Sequence, residues 1–370
     1  MRIASAALLL GCGPAPAARP PQAPAFEIRA GKAIDADARE KRLRNVRQLT
    51  DGGENAEAYW SPDGRRLIFQ ATRPGPGGEG GGCDQIYVLD LATGEERQVS
   101  SGAGRTTCAY FAQPDADALL WSSTHEASAE CPAPPDRSRG YVWALYEYDV
   151  YRAAPDGSGL TALVRSPGYD AEATMAFDGS RIVFTSTRDG DLEMYTMAPD
   201  GSDVRRITRA PGYDGGAFFS PDSKRLVWRA SRPEGQDLED YRALLAEKLV
   251  RPTQLEIFVG NADGSEPRQI TSNGAANFCP YFLPDSRQVI YASNAGGSPR
   301  EFDLWVVDAD AQPPSAPERI TFAEGFDGFP MFSPDGRHLV WGSNRHGSHE
   351  GDTNLFVAEW TGAPISPAPE

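Results

Sequence analysis

The feature that most constrains this 370-residue chain is a motif that returns six times. Each copy is marked by a tight turn. Ser61-Pro62-Asp63-Gly64 is its fullest form, repeated at Ser333-Pro334-Asp335-Gly336 and, without the glycine, at Ser220-Pro221-Asp222. Shorter versions stand at Pro114-Asp115, Phe177-Asp178-Gly179 and Pro284-Asp285. Proline presets φ while Asp and Gly tolerate the bend, as a hairpin turn requires. Four residues beyond each turn Asp comes an apolar triplet: Leu67-Ile68-Phe69, Leu119-Leu120-Trp121, Ile182-Val183-Phe184, Leu226-Val227-Trp228, Val289-Ile290-Tyr291 and Leu339-Val340-Trp341. Consecutive rather than alternating apolar residues describe a strand covered on both faces, as when small sheets stack against one another.

A third strand follows each triplet, at 86–89, 149–152, 192–196, 255–259, 304–307 and 355–358. Hairpin turns then appear at Asp156-Gly157, Asp200-Gly201 and Asp263-Gly264. Fourth strands, at 97–100, 160–164, 206–208, 268–271 and 319–321, number five after six triplets; the sixth lies upstream, at 46–50. A chain that opens with the outer strand of its last sheet closes a ring and removes the free edge. The expected fold is therefore all-β, a single six-bladed β-propeller over residues 45–360 closed by an N-terminal outer strand.

Successive turn Asps are 52, 63, 44, 63 and 50 residues apart, so the bare repeat is near 44 and the others carry insertions. The insertions, at 72–84, 123–143, 231–254 and 344–353, fall between second and third strands and so on one face of the ring. The one at 231–254 carries Leu238, Tyr241, Leu244, Leu245 and Leu249 at helical spacing ahead of Pro252, which predicts a helix serving as a packed lid or as a partner-binding element.

The Ser-Pro-Asp-Gly turn, the apolar triplet, the Asp-Gly hairpin and the closing Arg-Ile-Thr of 206–208 and 319–321 resemble the propeller repeats of the TolB family of the Tol-Pal envelope system. The resemblance covers about 45–360 and implies the propeller fold and an envelope role. The α/β domain that precedes the TolB propeller has no counterpart in the roughly 30 residues between Cys12 and the first strand, so the expectation is a TolB-like propeller without it.

Residues 1–12 read as an export signal of lipoprotein type, with Arg2, an apolar run at 3–10 and a lipobox-like end at Cys12, the expected lipidation site. The Pro/Ala-rich stretch within 13–44 is expected to be a tether, and 361–370 a flexible tail. Export implies the bacterial periplasm and an oxidising compartment, in which Cys83, Cys108 and Cys131 are the candidate disulfide cysteines and Cys279 a candidate buried thiol. All four are expected among the insertion loops. No other stretch reaches 18 apolar residues, so a membrane is met only through the lipid anchor. With 36 basic against 52 acidic residues, a net charge of −16 repels polyanions and excludes nucleic acid as a partner.

Aligning the copies on the turn Asp brings Asn55, Thr107, Asp170, Asp214, Asn277 and Asp327 to one position, expected to ring the channel mouth on the insertion face. Glu57 and Glu172 stand two residues inward and, at period two, on the same strand face. Such a ring would suit Ca²⁺, a basic peptide or the hydroxyls of a glycan; the same side chains could instead cap backbone groups at the blade junctions. No nucleophile elbow, phosphate loop or dinucleotide fingerprint occurs. His346 and His349 with Glu350 and Asp352 are the one histidine cluster, on an insertion loop where solvated side chains compete with a Zn²⁺ site. The expectation is a monomeric, non-catalytic scaffold that binds an envelope protein, basic peptide or glycan through its insertion-rich acidic face. The alternative is a hydrolase or lyase acting on a glycan or peptide at the channel mouth.

Overall fold

A computed structural model describes residues 26–73, 82–136, 138, 140–311 and 316–362. The signal segment, Cys12, much of the expected tether and most of the tail lie outside the described residues. Six sheets radiate from a common axis. Their inner strands are Glu54–Trp60, Thr106–Phe111, Asp170–Met175, Asp214–Phe219, Asn277–Phe282 and Asp327–Phe332. Each pairs antiparallel with a second strand that carries the apolar triplet, then with a third and a fourth. All eighteen triplet residues are buried, at 1% exposure or less. Burying each large apolar side chain stabilises the fold by about 1.5–3 kcal/mol before entropy is counted, so the triplets are the glue between blades.

The sixth sheet is closed as expected: Asp327–Phe332, His338–Ser343 and Asn354–Trp360 are completed by the upstream strand Leu43–Gln48. A fifth strand, Lys32–Ala33, then adds to the outside of Leu43–Gln48. Part of the expected tether is thus folded. Ala30 is buried, the amides of Arg29 and Ala30 donate to the Leu91 carbonyl, and Glu40 pairs with Arg345 of blade 6. The sequence gives little warning of this, because a two-residue edge strand has no periodicity to detect.

The turn face owes its regularity to the repeat itself. Ser61 donates to Asp63 and accepts from the Arg66 amide, and Ser220 and Ser333 make the equivalent pairs with Asp222 and Asp335. On the other face, Cys83 and Cys131 form a disulfide between the first two insertions. The second and third insertions meet through a two-stranded ribbon, Trp143–Ala144 against Leu249–Val250. The predicted helix runs Gly235–Ala246 and ends well before Pro252; Leu249 belongs to the ribbon, because Lys248 turns into the left-handed region at φ 59° and breaks the helix. Its Tyr241 packs in one cluster with Leu145, Leu192 and Val250, as a lid would. Among the described residues no helix is long and apolar enough to cross a membrane.

Candidate functional site

Every inner strand carries a β-bulge at the same place, where two residues face one on the second strand. The first bulge residue is Glu57, Cys108, Glu172, Gly216, Cys279 or Phe329, and all six have positive φ, between 51° and 61°. A bulge redirects its side chain, and these six positions, one from each blade, line a single recess of about 30 Å³ at the axis. Two residues further along, Tyr59, Tyr110, Phe218 and Tyr281 close the axis below them, with ring centroids 5.3–6.3 Å apart. The propeller axis is therefore plugged, and the recess is the floor of a one-ended cavity.

That cavity, about 520 Å³, opens towards the insertions. Trp143 at the end of the second insertion and Tyr146 and Tyr148 just after it form part of its wall together with Tyr169, Tyr213, Phe278, Phe326 and Phe329. Its polar groups sort into tight pairs. Arg229 binds Glu172, donates 2.6 Å to the Tyr213 hydroxyl, and lies between the rings of Trp143 and Tyr213, 5.2 Å from each centroid. Glu172 also accepts from Thr185 at 2.6 Å and from the Gly216 amide at 2.7 Å. Room for this cluster is made by glycine: a Cβ on Gly216 would stand 2.1 Å from the Arg229 guanidinium, and one on Gly215 would stand 2.7 Å from Glu172. Arg105 pairs with Asp84 at 2.7 Å beside the Tyr146 ring.

Glu57 is different. Among the described residues its carboxyl meets only the Cys108 thiol, its Oε2 is inaccessible and without a hydrogen bond, and burial raises its pKa to about 7, against the opposing effect of the Cys108 hydrogen bond. Burial and the charge of Glu57 push the Cys108 thiol up, so it stays protonated and able to donate.

Of the six expected mouth residues Asn55 and Thr107 line the cavity, whereas Asp170, Asp214, Asn277 and Asp327 do not. Asn55, Asp170, Asp214, Asn277 and Asp327 are all fully buried between blades, where they cap the crossovers. Asp170 pairs with Arg188, Asp214 with Arg232 and the Trp228 indole, and Asp327 with Arg345 and the Trp341 indole. Asn55 donates to the Gly52 and Thr353 carbonyls, and Asn277 to that of Leu255. Their bulged neighbours Glu57 and Glu172 do reach the cavity, so period two fails here because the bulge resets it. In blade 2 the equivalent of these residues is Thr106, which pairs with Ser123, and not Thr107, because the turn after that inner strand is one residue longer than in the other blades. Thr107 instead donates 2.7 Å to Gln70 at the cavity wall.

With the carboxylates committed to internal partners, no group of three or more His, Cys, Asp or Glu among the described residues is placed to hold a metal ion. That applies to the Ca²⁺ expectation and to the histidine loop, where Asp352 accepts from the amides of Gly53, Ser348 and His349 and lies 3.6 Å from the His349 ring. Cys108 is a free thiol and so is buried Cys279. Both sit on inner strands at bulges rather than in insertion loops, so only Cys83 and Cys131 behave as loop-pinning cysteines.

Sequence reasoning missed Arg229, Tyr213 and the aromatic wall. One signal was present. The residue following the apolar triplet is Gln70, Ser122, Thr185, Arg229, Ala292 or Gly342, so the arginine is the outlier of its column, opposite the only bulge occupied by glycine.

No protein-family model and no curated protein matches the sequence. Solved structures do. A protein from Agrobacterium tumefaciens described as TolB superposes with a TM-score of 0.55 at 20% identity, covering 84% of this chain and 91% of that one. TolB from Acinetobacter baumannii gives 0.52 at 17% identity, covering 74% of this chain and 55% of its own. The fold is that of a TolB-like propeller. An oligogalacturonate lyase from Vibrio parahaemolyticus gives 0.50 at 14% identity, covering 89% of this chain and 98% of that one. Since a TolB protein and a lyase are matched alike, the likeness carries the architecture, and the chemistry of this TolB-like propeller has to be argued from its own cavity.

Proposed function

We propose that this TolB-like propeller is a non-catalytic binding protein of the bacterial envelope that takes a segment of a protein, peptide or glycan partner into the cavity on its insertion face. The observation that carries this reading is the one-ended, aromatic-walled cavity of about 520 Å³, covered by insertions that are themselves tied together by a disulfide and a β-ribbon. Export and tethering through Cys12 belong to the same proposal; the Cys83–Cys131 disulfide supports an oxidising compartment. Tyr141, 59% exposed at the cavity rim, is the side chain best placed to meet a partner first.

The test is photocrosslinking from position 141 in living cells, with position 334 on the turn face as control. One defined partner captured from 141 and absent from 334 is the expected result. Equal capture from both positions would overturn the reading.

A second reading draws on Glu57 alone. A carboxyl raised to about 7 at the floor of a cavity is what a general acid or base of a hydrolase or lyase needs. It predicts turnover of a glycan or peptide panel that vanishes in Glu57→Gln.

A further inference from the structure

The recess around Glu57 is selective by charge, by size and by the chemistry of its walls. It holds about 30 Å³, room for one or two water-sized groups. The charge of each cavity arginine is already matched, Arg229 by Glu172 and Arg105 by Asp84, and Arg229 keeps only its Nε–H without an acceptor. Glu57 keeps one carboxyl oxygen, Oε2, buried and without a donor. A buried acceptor left unsatisfied costs about 1–3 kcal/mol, a penalty that an incoming donor removes. Above the recess the wall is aromatic on the blade 5 and 6 side: Phe278, Phe326 and Phe329 have centroids 5.9–6.2 Å apart and line the same cavity. Aromatic faces attract cations and pack against aliphatic stems.

We propose that the recess is a receptor for a primary ammonium group carried on an aliphatic stem, with Glu57 as its counter-ion and Phe329 and Phe278 flanking the stem. The inference rests on the reading of the cavity as a ligand site and names the chemistry that site selects. A lysine side chain and a free alkylamine share this chemistry. A trimethylammonium head does not fit a recess of this size.

Binding is linked to protons. The groups that face Glu57 are Tyr59 and Asp84 of its own blade, Cys108 of blade 2, Glu172 of blade 3, Arg229 of blade 4 and Cys279 of blade 5; Phe329 of blade 6 carries no charge. Burial is the largest influence and, with the charges of Glu172 and Asp84, opposes ionisation of Glu57; the Cys108 hydrogen bond and the Arg229 charge favour it, and the net position is about 7. An alkylamine is cationic throughout pH 6–8, so its affinity follows the ionised fraction of Glu57 and rises about tenfold between pH 6 and pH 8.

Calorimetry on the wild-type protein tests this with butylamine, the peptide acetyl-Gly-Lys-Gly-amide and choline, each at pH 6 and pH 8. The expected result is saturable binding of the amine or the lysyl peptide, about tenfold tighter at pH 8, no binding of choline, and loss of amine binding in Glu57→Gln. Tighter binding of the peptide assigns the site to a protein segment, and tighter binding of butylamine to a small molecule; either supports the proposal. If Glu57→Gln does not fold, the pH dependence and the choline discrimination of the wild type still decide. Equal binding of choline, a flat pH dependence, or no amine binding at pH 8 would overturn it. Should a glycan or a lysine-free peptide quench Trp143 fluorescence while amines do not bind, the cavity remains a ligand site and only the ammonium inference falls.

Discussion

The two ends of the propeller axis are built on opposite principles. On the turn face the blades repeat one another: Ser61-Asp63, Ser220-Asp222 and Ser333-Asp335 satisfy each other locally, and the depression of about 800 Å³ that they surround is edged by Pro62, Pro221, Pro284 and Pro334. On the insertion face the equivalent positions differ from blade to blade, as the bulge series Glu57, Cys108, Glu172, Gly216, Cys279 and Phe329 illustrates. The difference teaches that the repeated residues specify the fold, whereas departures from the repeat assemble the chemistry. Positive φ at the bulge is common to all six blades and therefore belongs to the architecture; what the site adds is the choice of side chain there.

Four variants sharpen or break this contrast. The largest effect is expected at Arg229. Arg229→Ala leaves Glu172 buried beside Tyr213 without its counter-ion, which should cost about 3–5 kcal/mol in urea unfolding. A loss below 1 kcal/mol would mean that water already reaches the pair. Next comes the disulfide. Paired Cys83→Ser and Cys131→Ser changes release a loop of 48 residues and should cost about 2–4 kcal/mol, together with protection of the 124–148 segment in hydrogen exchange. Unchanged exchange there would show that the ribbon at Trp143–Ala144 holds the cover alone.

Glu57 is expected to show its effect through pH. Its folded pKa, about 7, lies above the unfolded value of about 4.3, so the folded state holds the extra proton in between. The contribution of Glu57 to stability is present below about pH 4.3 and is lost as pH rises through 7. Glu57→Gln should therefore match the wild type near pH 4 and exceed it by on the order of 3–4 kcal/mol at pH 8. Parallel stability curves for the two proteins would contradict a desolvated carboxyl. The smallest effect belongs to the repetitive face: Ser220→Ala removes the bonds to Asp222 and to the Arg225 amide and should cost about 0.5–1.5 kcal/mol, with no change in ligand binding.

The same contrast explains what could be read from the sequence. Turns and triplets recur six times and one upstream strand supplies the missing fourth strand, so blade number and the face bearing the insertions were legible in the sequence. The Asp and Asn residues ahead of the inner strands were equally visible, yet their role was not, because position alone does not say whether a side chain turns to the axis or into the blade junction. Their arginine partners stand 18 residues downstream in three blades, Asp170 with Arg188, Asp214 with Arg232 and Asp327 with Arg345, a spacing that marks them as structural once it is noticed. The bulge was not legible. It inserts one residue into the pairing and so moves Glu57 away from the face that period two assigns. The cover was legible only in part, since the pairing of Trp143–Ala144 with Leu249–Val250 joins segments about 100 residues apart that share no repeat.

The most direct test of the claim that the bulge ring, and not the turn face, reads a ligand is a crystal structure of the protein soaked with acetyl-Gly-Lys-Gly-amide at pH 8. The account predicts density for the lysine side chain passing Phe329 to end at Glu57, with the turn-face depression between Pro62 and Pro334 empty. Density in that depression with the recess unfilled would contradict it.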